Sequence, residues 1–199
     1  MANGDALALE DRIALLSSPL GDAASLRERD AAAQYLLEHA DAAYPELLRR
    51  LASGGGSNPL AIIALLPRFG REASIPVLAQ WLGGGDELVA PVSARALAEH
   101  PQASALQALL AALGSTHAMT AIAAADALAG RGQPDACTGL RDAMGHADAQ
   151  VRYHLVQAAA SLHCLSVDEL RSIGANDVDV EVQALAQRLL DAAGRPTPP

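Results

Sequence analysis

Asp86-Glu-Leu-Val-Ala-Pro-Val-Ser-Ala-Arg-Ala-Leu97 decides the fold. It opens on an Asp whose carboxylate can accept hydrogen bonds from free backbone N–H groups and complement a helix dipole. Val89 follows three residues on, and Val89, Ser93 and Ala96 then share one helical face. The same grammar opens Asp148-Ala-Gln-Val151 and Asp177-Val-Asp-Val180. Small residues at Ala96, Ala127 and Ala158 continue the stripe, so paired helices can approach closely.

Outward from this stretch the chain repeats itself every 31 residues. Ile13, Tyr44, Ile75, Leu106 and Cys137 form one column, and Leu16, Leu47, Leu78, Leu109 and Leu140 a second. Leu20, Leu51, Leu82, Leu113 and Met144 form a third. These columns stand three and four residues apart, the spacing of one helix face. A fourth, Tyr35, Leu66, Leu97, Leu128 and Ala159, belongs to a second helix in each unit. Breakers separate the helices: Ser18-Pro19, Gly54 to Gly56, Gly83 to Gly85, Gly114, Gly130 with Gly132, and Gly174. Helix pairs are therefore predicted at 5–17 with 22–39, 41–53 with 58–69, and 72–83 with 86–99. Three more follow at 103–114 with 117–130, 134–145 with 148–162, and 166–174 with 177–193. The expected architecture is all-α, a right-handed superhelix of about six helix pairs over residues 1–194, followed by a disordered tail at 195–199.

Composition agrees with helices built on small aliphatic side chains. Of the 199 residues 51 % are apolar but only 3 % aromatic, which disfavours a sheet rich in aromatic and β-branched residues. Fourteen basic against 23 acidic residues give a net charge of −9, a balance that argues against a phosphate-backbone partner. Every basic residue is Arg, which excludes a P-loop or Schiff-base lysine. Met1 to Asp5 carry no basic segment leading into an apolar one, and no apolar run is long enough to span a membrane. Two cysteines, Cys137 and Cys164, look too few and too oddly spaced for a disulfide framework or a zinc site. A cytoplasmic, reducing location is the resulting expectation.

The pattern Asp-x-x-Val-x-x-x-Ala/Ser-x-x-Ala-Leu on the second helix, clearest at Asp86 to Leu97 and next at Asp148 to Ala159, resembles HEAT repeats. The short repeats of phycobilin lyases are the most similar kind. That resemblance implies an α solenoid whose second helices line a concave binding face. It serves many unrelated functions, so function must be argued from the surface.

Candidate chemistry is sparse. Glu38-His39 and Glu99-His100 close second helices two repeats apart. Deoxyhypusine hydroxylase, a HEAT-repeat enzyme, holds two irons with repeated His-Glu dipeptides, but here the order is reversed and two pairs stand instead of four. The expectation is helix-end electrostatics and no metal. His117 occupies the Asp position of its repeat and is expected to cap or face solvent; His146 lies in a turn, and His154 and His163 are too far apart for an i, i+4 ligand pair. Cys137 falls in an apolar column and is expected to be a core thiol, Cys164 an ordinary loop thiol. The glycine runs follow no strand and carry no Lys, so they are expected to be turns. Trp81, beside Leu82 of the third column, is expected to be half-buried packing.

If Val89, Ser93 and Ala96 face inward, Pro91 and Arg95 point partly outward. One and two repeats on stand Ile122 with Asp126 and Tyr153 with Gln157. Arg95, Ile122, Asp126, Tyr153 and Gln157 are therefore the candidate partner-binding residues, a mixed strip suited to a protein or peptide. Ile122 and Tyr153 could equally pack between repeats. The function expected is a non-catalytic adaptor, scaffold or maturation factor, with no cofactor, no nucleic acid and no membrane. A bilin-lyase-like role is the alternative, thinly supported by three Tyr, one Trp and one Phe. DNA glycosylases with HEAT-like helix pairs need a basic channel and aromatic platform that this chain lacks.

Overall fold

The computed structural model describes residues 2–18, 23–54 and 58–193. These residues form twelve α helices and no strand. They are α1 (Ala2–Leu16), α2 (Ala23–Glu38), α3 (Ala40–Ala52), α4 (Leu60–Leu65), α5 (Ser74–Gly83) and α6 (Val89–Glu99). The second half holds α7 (Ala103–Ala112), α8 (Ala118–Arg131), α9 (Cys137–Asp142), α10 (Ala149–Ser161), α11 (Val167–Asn176) and α12 (Val180–Ala193). Successive helices pack as pairs, α1 on α2, α5 on α6, α7 on α8 and α11 on α12. Second helices also stack on second helices, α4 through α6, α8 and α10 to α12, so the pairs form a solenoid. Pro19, Leu20, Gly55 and Gly56, and the tail at 195–199, lie outside the described residues.

The columns are the core. Leu47, Leu78, Leu109 and Leu140 are fully buried, as are Leu66, Leu97, Leu128 and Ala159. Each buried Leu contributes about 2 kcal/mol of transfer free energy, which is how a chain with one Phe and one Trp holds a solenoid together. Two first and second helices are shorter than the register suggests, for local reasons. Pro67 has no N–H to give to the carbonyl of residue 63, so α4 tightens into a 3₁₀ turn over Leu66–Phe69. α9 is flanked by 3₁₀ turns at Pro134–Ala136 and Ala143–Gly145.

Polar bonds tie neighbouring repeats together. The Gln102 Nε2 donates to the Gly70 carbonyl at 2.7 Å, and Ser104 donates to Glu72 at 2.7 Å. Arg131 Nη1 reaches the carbonyls of Leu97, Ala98 and His100 at 3.1–3.2 Å, satisfying the C-terminal end of α6.

Two expectations are corrected. Gly174 does not end a helix but lies within α11, where it faces α12 across a narrow gap; a Cβ there would meet the Ala186 Cβ at 3.7 Å. The cap of α12 is Asp179, not Asp177. Asp179 Oδ1 accepts from the N–H groups of Glu181 at 2.9 Å and Val182 at 3.2 Å. Val182 is fully buried, whereas Val180 is 74 % exposed. The chain offers Asp-x-x-Val in two overlapping frames here, and only the frame at Asp179 keeps the 31-residue step from Asp148. Asp86 and Asp148 cap as expected, accepting from Val89 N at 2.9 Å and Val151 N at 3.2 Å.

Candidate functional site

The second helices carry a row of clefts. Between α6 and α8 lies a groove of about 440 Å³. Met119, Ile122, Ala98, Ala123 and Ala127 give it an apolar floor, and Arg95, Glu99, Asp126 and Arg131 stand around it. The floor follows from the small-residue stripe: alanines leave room where larger side chains would close the gap. Pro91 also lines it, near the start of α6. A second cleft of about 390 Å³ lies between α8 and α10, and a third of about 260 Å³ between α2 and α4.

The strip named from the sequence divides among these clefts. Arg95 and Ile122 line the first groove, Asp126 lines the first and the second, and Gln157 lines the second. Arg95 is exposed and donates to Glu99 at 2.8 Å. Asp126 meets His154 Nδ1 at 2.9 Å. Ile122 is half-buried against the core. Tyr153 turns away from the grooves: its ring packs on the cluster of Val156, Val182 and Leu185, and its hydroxyl lies 3.4 Å from Arg188 of α12. Sequence spacing put these five residues on second helices but did not show which way the Tyr153 ring leans.

The histidines scatter. His39 is exposed, its Nδ1 2.8 Å from the Tyr35 carbonyl and its ring stacked on Tyr35. His100 is buried, with Nε2 2.9 Å from the Ser74 hydroxyl. Ser74 already donates to the Arg71 carbonyl at 2.8 Å, so His100 Nε2 is the donor of the pair. His117 precedes α8 and is exposed, with no cap bond from its side chain; its ring lies against Gly85, whose φ of +68° only glycine takes easily. His146 accepts from the Asp148 N–H at 3.1 Å, so its Nε2 donates to the Ser115 carbonyl at 3.0 Å. Among the described residues no three His, Cys, Asp or Glu side chains converge as a metal site would require. Trp81 is half-buried.

The cysteines overturn their reading as a core thiol and a loop thiol. Cys137 and Cys164 form a disulfide with Cα atoms 5.2 Å apart. α10 ends in a Schellman turn: His163 N donates to Ala160 O at 3.0 Å and Cys164 N to Ala159 O at 2.8 Å. His163 takes the left-handed position at φ 56°, which folds Cys164 inward onto the start of α9. Helical periodicity gave no sign of the pair, because Cys164 lies in the turn between α10 and α11, outside the repeat columns. A disulfide also removes the cysteine-based argument for a reducing compartment. Among the described residues no helix is long and apolar enough to cross a membrane.

One part-buried ion pair is not foreseen by the sequence reading. Asp177, released from capping, accepts from Arg152 Nε and Nη2 at 2.9 Å each, while Arg152 Nη1 donates to the carbonyls of His146 and Ala147. The Arg152 hydrogen bonds hold the Asp177 carboxyl below its ordinary range, against the opposing effect of burial.

The family model of HEAT repeats matches residues 75–160, spanning α5 to α10 and the main groove. No curated protein matches the chain.

Proposed function

Because residues 75–160 make this a HEAT-repeat protein, we propose that it binds another protein or peptide through its second-helix face and catalyses no reaction. HEAT repeats generally serve protein–protein interaction and scaffolding. The observation that carries the reading is the groove between α6 and α8, with an apolar floor and charged Arg95, Glu99, Asp126 and Arg131 at its margin. An apolar centre inside a polar rim is the anatomy of a protein interface. Arg95, Ile122, Asp126 and Gln157 would meet the partner, with Tyr153 setting the end of the surface. An adaptor, scaffold or maturation factor needs nothing more, and the acidic balance disfavours nucleic acid.

Affinity capture from the native cell, followed by mass spectrometry, tests it with two baits in parallel. Wild-type protein should retain a partner that an Arg95→Ala/Asp126→Ala bait loses. Both side chains are exposed, so the variant should fold normally. A partner held equally by both baits would place the interface elsewhere.

A further inference from the structure

Arg29 is the odd member of its column. The 31-residue register aligns it with Leu60, Pro91, Ile122 and Tyr153, four residues without a charge. Its side chain lies on the buried face of α2, one turn before Ala32 and Ala33, and it is 9 % exposed. Its Nε and Nη2 are buried without a hydrogen-bond partner among the described residues. These two atoms form the edge of a guanidinium that grips a carboxylate side-on through two parallel bonds. A buried guanidinium left without an anion is costly, and folded proteins rarely keep one.

The same side chain lines the cleft between α2 and α4. Arg68 stands on the opposite wall, exposed and in no ion pair among the described residues. Leu16, Leu26, Ala61 and Leu65 complete the lining. Asp30 lies at the margin, exposed, and bonds to neither arginine. The cleft repeats, two units back, the position of the α6–α8 groove, so it opens on the same face.

We propose that the α2–α4 cleft is a carboxylate pocket that anchors an acidic side chain of the protein partner. This rests on the second-helix face being the partner-binding surface. A small turn of the guanidinium about its flexible stem brings the Nε–Nη2 edge to the incoming carboxylate. Arg68 adds a second positive charge, and the leucines cover the apolar atoms beside the acid. Charge complementarity selects the occupant: two arginines without ionic partners among the described residues, over apolar walls, fit an acidic residue flanked by aliphatic ones.

The test titrates the full chain with the peptide Ac-Leu-Glu-Leu-NH2 and, separately, Ac-Leu-Gln-Leu-NH2, following the Nε–Hε signals of ¹⁵N-labelled arginine. The glutamate peptide should shift the Arg29 signal saturably, and the glutamine peptide should bind at least about tenfold more weakly. Arg29→Met keeps the aliphatic stem and should abolish glutamate-peptide binding, read on the Arg68 signal. Arg68→Ala should weaken binding severalfold and serves if Arg29→Met fails to fold. Equal binding of the two peptides, or full binding to either variant, overturns the pocket. Acetate binding as tightly as the glutamate peptide overturns its assignment to a polypeptide. If Arg95 and Asp126 prove irrelevant to the captured partner while the Arg29 shift persists, the pocket stands and the central-groove reading alone fails.

Discussion

At the scale of single residues, small choices of frame and backbone conformation decide the outcome. Asp179 caps α12 through two N–H groups, so Asp179→Ala should lower stability by about 1 kcal/mol, whereas a true cap at Asp177 would leave it unchanged. Urea unfolding of the single variant distinguishes them. Gly174 lies in the last turn of α11 with room for a methyl group, and Gly174→Ala should raise stability by roughly 0.5 kcal/mol in the same assay. Only the first of these corrections was recoverable from the sequence. The register from Asp148 points to Asp179, but Asp177-Val-Asp-Val180 offered a local match that seemed equally good. Gly174 looked like a breaker because glycine marks most of the other turns, and nothing in the sequence shows how close α12 lies.

At the scale of elements, the fifth and sixth helix pairs are held by bonds that helical periodicity does not register. The disulfide closes the segment from Cys137 to Cys164, and breaking it should cost roughly 2–4 kcal/mol. Native protein should show no free thiol until reduced, and a reductant should lower its melting temperature. The Arg152–Asp177 pair gives a pH signature. Its folded carboxyl titrates below the unfolded value of about 3.9, so its stabilisation is complete above that pH and is lost as pH falls through the lower folded value. Melting temperatures from pH 7 down to pH 2 should therefore fall more steeply for wild type than for Asp177→Asn. The helices themselves were legible, because apolar columns at a fixed step report the face that each one buries. The ion pair was not, since it joins residues from different repeats and its acid reads locally as a helix cap.

At the scale of the molecule, the columns predict strong cooperativity. Leu97 is fully buried between the Leu66 and Leu128 levels, so Leu97→Asp should cost about 4 kcal/mol or more and unfold most of the chain. A melting temperature near that of wild type would show that the register is wrong. The candidate surface was only partly legible. The repeat placed Arg95, Ile122, Asp126 and Gln157 on one face, yet the groove itself arises from the separation of α6 and α8. That separation depends on the volumes of alanines in both helices. The central claim is that this groove receives a protein partner. Hydroxyl-radical footprinting of the complex with the captured partner tests it directly, because oxidisable Met119 lines the floor. The account predicts that Met119 and Ile122 lose reactivity on binding while first-helix residues keep theirs. Unchanged reactivity in the groove, with protection on α5 and α7 instead, would contradict it.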